Sequence, residues 1–272
     1  MIQDMSSYRK DKETSGKIEE AIPRPAPNGQ SWLCLDLPLL AYQEAWEFQS
    51  RLVAARKETL LESNVFLLLE HPPVFTLGRR GGLENLRVTE GFLEQSGIPL
   101  FHVERGGNIT FHGPGQLVGY GIVALQGAGL GVVDYVTGLE EVMIRTAAEW
   151  AVAAERNPLN RGVWVGHRKL GSIGIAVRHG ITFHGFAFNA TIALDPFAWI
   201  NPCGLTGVGV TSLASESAQE VSLVEVRRSL KHNLESVFRV KLAPVERSEL
   251  ELLLTRQCRE PGAGCCSGGS NG

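Results

Sequence analysis

Apolar residues alternate over 32–37, the period-two pattern of a half-buried strand. From 39 to about 61 the spacing becomes helical, with Leu39, Tyr42, Trp46, Leu52 and Val53 on one side. Residues 65–69 and 74–77 are continuous apolar runs of strand length. Thr89, followed by acidic residues and then Phe92 and Leu93, predicts the N-cap of a short helix. Stretches 100–103 and 117–125 read as strands. The clearest helix is 133–156, where Tyr135, Leu139, Val142, Thr146 and Trp150 share a face. Strands follow at 162–165, 170–177 and 181–189, then a short helix at 196–200 and helices at 223–238 and 247–256. The turns at His167-Arg168 and His179-Gly180 are short enough to join antiparallel neighbours. The predicted class is therefore α+β, a mixed and largely antiparallel sheet flanked by helices, and not a doubly wound array.

The two ends break this pattern. Residues 1–30 are polar, mix both charge signs and finish in a proline-rich run, so a disordered leader is expected. Residues 258–272 are rich in glycine and read as a flexible tail. One catalytic-size domain, 31–257, lies between. The leader resembles neither a secretory signal nor an acid-poor transit peptide, and no apolar run approaches the roughly 18 residues of a membrane span. With 26 basic against 29 acidic residues the net charge is −3, which speaks against a nucleic-acid partner. The five cysteines (Cys34, Cys203, Cys258, Cys265 and Cys266) are odd in number and form no CxxC pair. A disulfide framework and a zinc ribbon are both disfavoured, and a reducing compartment is expected. That means the cytoplasm, or an organelle matrix in a eukaryotic source.

Four segments invite chemistry, and each has a plain alternative. The run 105–116, RGGNITFHGPGQ, lets the backbone approach a ligand closely, and Arg105 could hold a carboxylate or phosphate; it also reads as a hairpin turn with a tight loop. The run 167–174 enters a strand from a turn; it reads as a solvated basic turn, or as a tunnel wall, since Gly171, Ser172 and Gly174 leave room over one sheet face for a narrow apolar tunnel. His184, in an aromatic strand, is a catalytic base or a structural histidine. Cys203, between Pro202 and Gly204, is a thiol presented at a pocket mouth or a small buried hydrophobe. Cys34 reads as core, and the tail thiols lack the fixed geometry that catalysis needs.

Taken in order, the segments resemble one family. They are 69–78 (LEHPPVFTLG), Arg105-Gly106-Gly107, 110–118 (TFHGPGQLV), 162–165 with Arg168-Lys169, Ser172-Ile173-Gly174, His184-Gly185 with Ala187 and Asn189, Pro202-Cys203-Gly204, and 209–213 (GVTSL). Over about 32–240 this series is similar to the octanoyl-[acyl-carrier-protein]:protein N-octanoyltransferases, also called lipoyl(octanoyl) transferases. The resemblance implies a fold related to the catalytic domain of biotin and lipoate protein ligases. It implies that Cys203 accepts octanoate from octanoyl-acyl carrier protein as a thioester. A lysine of a lipoyl domain, in a 2-oxoacid dehydrogenase complex or the glycine cleavage H protein, then attacks it. Lys169 matches the lysine that lowers the thiol pKa. Arg105, Gly106, Gly107, Asn108, Ile109, Thr110, Phe111 and His112, with Ser172, Ile173, Gly174, Gly185, Phe186 and Ala187, match the segments lining the acyl site. Phe111 stands where tyrosine is common, and Leu170-Gly171 replaces a more usual Ile-Ala, which could loosen the chain-length limit.

The implied chemistry is physically sound. A free thiol near pKa 8.5 is mostly protonated at neutral pH, and a nearby ammonium favours the thiolate. Thioester-to-amide transfer is downhill, so no metal, ATP or other cofactor is expected. Two competing readings are an ATP-dependent lipoate or biotin ligase on the same fold and a non-catalytic binding module.

Overall fold

A computed structural model describes residues 30–157, 160–201 and 209–255. The expected leader, apart from Gln30, and the expected tail lie outside these residues, as does Cys203. In chain order the elements are β1 (Ser31–Leu39), α1 (Tyr42–Lys57), β2 (Val65–Glu70), β3 (Val74–Leu77), α2 (Glu90–Gln95), β4 (Leu100–His102), β5 (Ile109–His112) and β6 (Gln116–Ile122). They continue with α3 (Val132–Glu149), β7 (Glu155–Arg156), β8 (Gly162–Val165), β9 (Arg168–Arg178), β10 (Ile181–Asn189) and β11 (Gly209–Val210). The last are α4 (Leu213–Glu216), α5 (Leu223–Phe238), β12 (Lys241–Pro244) and α6 (Arg247–Thr255).

The main sheet runs β12-β1-β2-β6-β10-β9-β8-β7, with β11 beside β9. Pairings among β2, β6, β10, β9, β8 and β7 are antiparallel, while β1 pairs in parallel with β2 and β12. The expected mixed, largely antiparallel sheet is what forms. Its strands are apolar on both faces because both faces are covered. Phe66, Leu68, Leu117, Phe186 and Phe188 pack with Leu139, Met143, Leu230 and Leu234 of α3 and α5. Their alternates Leu67, Leu69, Val118 and Ala187 pack with Phe48 and Leu52 of α1 and Leu250 of α6. This double covering explains why β2 shows no alternation in sequence although its side chains alternate in space.

A second sheet, β4-β3-β5, carries its own small core of Phe75, Leu77, Leu93, Ile109, Phe111, Phe197 and Ile200. Here the structure corrects the loop reading of 105–116, since Ile109–His112 is a strand paired with Val74–Leu77. Two helices are shorter than their periodicity. The helix expected to reach 156 stops at Glu149, because Ala151 turns left-handed (φ 56°) and Arg156 is drawn into pairing with β8. The helix expected over 39–61 gives up Leu39 to β1 and ends before Thr59, also left-handed (φ 58°).

Candidate active site

Two cross-strand rows open a space over the centre of the main sheet. Tyr120, Gly185 and Gly174 stand side by side on β6, β10 and β9, and so do Val118, Ala187 and Ser172. Cross-strand partners share a face, so the small members of both rows leave room above the sheet. Gly185 must be small for a second reason. A Cβ there would lie 2.0 Å from the Gly119 carbonyl oxygen. Over this patch sits the small sheet, together with the loop at 105–108. Between them is a cavity of about 520 Å³, a size typical of small-molecule sites.

The cavity wall includes Arg105, Gly107, Asn108, Ile109, Thr110, His112, Ser172, Ile173, Gly174, Gly185, Phe186 and Ala187, twelve of the residues singled out as substrate-binding. Gly106 and Phe111 are not in the wall. The Gly106 N–H bonds the Ile175 carbonyl at 2.9 Å and so ties the loop to β9. Gly174 permits that approach, because a Cβ there would come within 2.9 Å of the Gly106 oxygen. Phe111 turns into the small core, 5.0 Å from Phe75 ring to ring. Gly171 is also off the cavity: its Cβ position faces Met143 Sδ at 2.6 Å, on the α3 side.

Lys169 is buried at the cavity edge. Its stem passes the Trp164 indole, with Nζ 5.1 Å from the ring centroid. Nζ donates to Asn160 Oδ1 at 2.9 Å and to the Arg161 carbonyl at 3.0 Å. Nearby, β11 runs parallel to β9, with Gly209 opposite Arg168 and Val210 opposite Lys169. On the other side of the undescribed 202–208, the Asn201 N–H bonds the Asn85 carbonyl at 2.8 Å.

Arg105 is held within the protein. Nη2 donates to the carbonyl and Oγ1 of Thr76 at 2.6 and 2.8 Å, Nε to the same Oγ1 at 3.2 Å, and Nη1 to the Gly106 carbonyl at 3.0 Å. Those bonds brace the loop, and the same side chain lines the cavity. From Arg105 a directed series of hydrogen bonds crosses both sheets. The Thr76 hydroxyl donates to His112 Nε2 at 3.4 Å, and His112 Nδ1–H to Gln116 Oε1 at 2.7 Å. Gln116 Nε2 donates to Asn189 Oδ1 at 2.8 Å, and Asn189 Nδ2 to the Thr211 carbonyl at 2.9 Å. There the series ends; the N–H of Thr211, in the preceding peptide, bonds the Lys169 carbonyl at 3.0 Å. The Gln116 amide, which also donates to the Phe111 carbonyl, fixes this direction and with it the His112 tautomer.

Three histidines gather beneath the cavity. His71 Nδ1–H donates to the Leu40 carbonyl at 2.6 Å and its Nε2 accepts from the Tyr120 hydroxyl at 2.7 Å. Burial pulls its pKa down to about 4. Burial likewise holds His112 well below the usual histidine range and lowers His184, against the opposing pull of Glu104. His184 stands in the left-handed region (φ 55°) inside β10, and its backbone N–H bonds Gln49 Oε1 at 2.7 Å. These are neutral imidazoles at pH 7. Cys34 is buried, which raises its thiol to about 11 and makes it a poor nucleophile.

Several wall residues carry no chemical signal in the sequence. Tyr42 and Tyr120 sit in apolar periodicity, and Asn160 and Arg161 sit in an unremarked turn before β8.

Residues 41–235 match the family model described as the lipoyl protein ligase A/B catalytic domain. The chain is 50% identical over 198 residues to the octanoyltransferase of Desulfotalea psychrophila, covering 72% of this chain and 89% of that protein. It is 42% identical over 220 residues to the octanoyltransferase of Syntrophobacter fumaroxidans, covering 81% and 96%. Among solved structures, the bipartite lipoate protein ligase of Thermoplasma acidophilum matches with a TM-score of 0.65 at 18% identity, covering 84% of this chain and 91% of that one. A lipoate-protein ligase A bound with ATP matches at 0.63 and 17%, covering 85% and 94%. These structural likenesses concern the fold.

Proposed function

Since the chain belongs to the octanoyltransferase family, acyltransferases of protein lipoylation, we propose that it carries octanoate from octanoyl-acyl carrier protein, through a thioester on Cys203, to a lysine of a lipoyl domain. The observation that carries this reading is the buried Lys169 ammonium at the edge of a cavity floored by glycine, alanine and serine. The acceptors are lipoyl domains of 2-oxoacid dehydrogenase complexes and the glycine cleavage H protein.

In this reading the Lys169 ammonium stabilises the Cys203 thiolate, which attacks the acyl carrier thioester; the carrier sulfur leaves as a thiol by taking the Lys169 proton, so that Lys169 becomes the amine. The acceptor lysine then attacks the enzyme thioester. Its nitrogen loses a proton to the Lys169 amine as the amide forms and the Cys203 thiolate leaves. Burial of the chain over Ser172, Gly174, Gly185 and Ala187 adds roughly 0.8 kcal/mol per methylene. The compartment we propose is the reducing cytoplasm, which keeps Cys203 a thiol. Among the described residues no helix is long and apolar enough to cross a membrane.

Intact-mass measurement after mixing with octanoyl-acyl carrier protein, without ATP, tests the proposal. An octanoyl adduct is expected on the wild-type protein and not on Cys203→Ala. An undiminished adduct on that variant, or attachment that requires ATP, sinks it.

A further inference from the structure

Glu140 is a charged residue on a core-facing helix, and its side chain is completely buried. It lies between Leu139 and Val142 on α3, where nothing in the sequence separates it from the polar face of an amphipathic helix. A carboxylate in that position is costly unless fully partnered. Its partners all come from one turn and the strand beside it. Oε1 accepts the Gly162 N–H at 2.9 Å, and Oε2 accepts Arg161 Nη1 at 2.9 Å, with Arg156 Nε at 3.5 Å.

The peptide between Arg161 and Gly162 therefore has both ends engaged. Its N–H points to Glu140, and its carbonyl accepts Lys169 Nζ at 3.0 Å. Immediately before it, Asn160 supplies the second acceptor for the same ammonium, and its carbonyl is held by Trp164 Nε1–H at 3.2 Å. Gly162 itself adopts φ 127°, and a Cβ there would lie 2.4 Å from the Gly171 oxygen and 2.8 Å from Lys169 Cε. The turn can pass this close to the lysine only as glycine. Glu140 is the group that grips it.

We infer that Glu140 is a positioning residue for Lys169, acting through the Arg161–Gly162 peptide. By accepting the N–H it fixes where the carbonyl points, and so where the ammonium sits. Hydrogen bonds in series polarise one another, so an acceptor at one end also strengthens the carbonyl at the other. The inference rests on the assignment of Lys169 to the acyl-transfer site, and it adds what holds that lysine.

Two variants separate positioning from mere support. Glu140→Leu keeps the volume but leaves Gly162 without an acceptor. Glu140→Gln keeps an acceptor oxygen and drops the charge. The first readout is kcat and KM for transfer from octanoyl-acyl carrier protein. The second is acylation of Lys169 by a small amine-reactive reagent, scored by peptide mass spectrometry against exposed Lys57 and needing no catalysis. For Glu140→Leu, kcat falls roughly 10–100-fold, the scale of a displacement of about 1 Å, while KM stays within twofold or so. Lys169 labelling rises roughly tenfold as its hydrogen bonds loosen. Glu140→Gln stays near wild type in both. Unchanged Lys169 labelling in a folded Glu140→Leu protein overturns the inference, as does Glu140→Gln being equally damaged. The wild-type octanoyl adduct on Cys203 is read in parallel. Its absence removes the acyl-transfer reading, while the labelling still decides the link between Glu140 and Lys169.

Discussion

At the scale of residues, the site depends on where side chains are missing as much as on where they are present. Gly171 illustrates this. Its departure from the family pattern invites the idea of a looser acyl tunnel, yet its Cβ position faces Met143 at 2.6 Å on the opposite side of the sheet. Gly171→Ala is therefore expected to cost about 1–3 kcal/mol of stability through overpacking, read as a lower urea midpoint. The ratio of octanoyl to decanoyl transfer stays unchanged, and a shifted ratio would contradict the placement. Lys169→Met, which keeps the stem against Trp164 and removes the ammonium, should lower transfer at least ~100-fold and leave the melting temperature within a few degrees. Single-turnover transfer and a thermal melt check both halves. The motif order made Lys169 legible from sequence. Its holders were not, since neither Glu140 within helical periodicity nor Asn160 within a turn differs in sequence from an ordinary surface residue.

At the scale of elements, strand and helix identities follow from periodicity, whereas ends and short strands follow from tertiary partners. β10 was legible because Ile181, Phe183, Phe186, Ala187 and Phe188 give it a dense apolar and aromatic run of strand length, and all nine residues from Ile181 to Asn189 are buried. β5 was not, because its four residues lie between glycines and gain strand form only by pairing with β3. The end of α3 was missed for a similar reason. The left-handed turn at Ala151 has no glycine to announce it. Burial along β9 and β10 gives a sharp contrast. Phe188→Ala, which empties a site inside the α3 and α5 core, is expected to cost about 3–5 kcal/mol. Val177→Ala, at a position 43% exposed, should stay within about 0.5 kcal/mol. Equilibrium urea unfolding of the two variants measures the difference, and similar losses would refute the burial assignment.

Across the whole molecule, the buried histidines make stability depend on acidity. His71 has a folded pKa of about 4 against about 6.5 in the unfolded chain. Between those values the unfolded state binds the extra proton, so stability is full above about pH 6.5 and falls as pH drops toward 4. The shift corresponds to about 3 kcal/mol for His71, and His112 and His184 act in the same direction. Unfolding midpoints should decline steadily across this window, whereas a flat profile would show that the imidazoles are not buried neutral. The directed hydrogen bonds from Arg105 to the Thr211 carbonyl have a further consequence. Arg105 can only donate and the Thr211 carbonyl can only accept, so no link between them can reverse. A proton relay needs groups that hand a proton on and then reset, and this series has no way to reset. It conducts no protons between the two sheets, so in the proposed reaction the proton of the acceptor amine stays with Lys169 at the cavity edge.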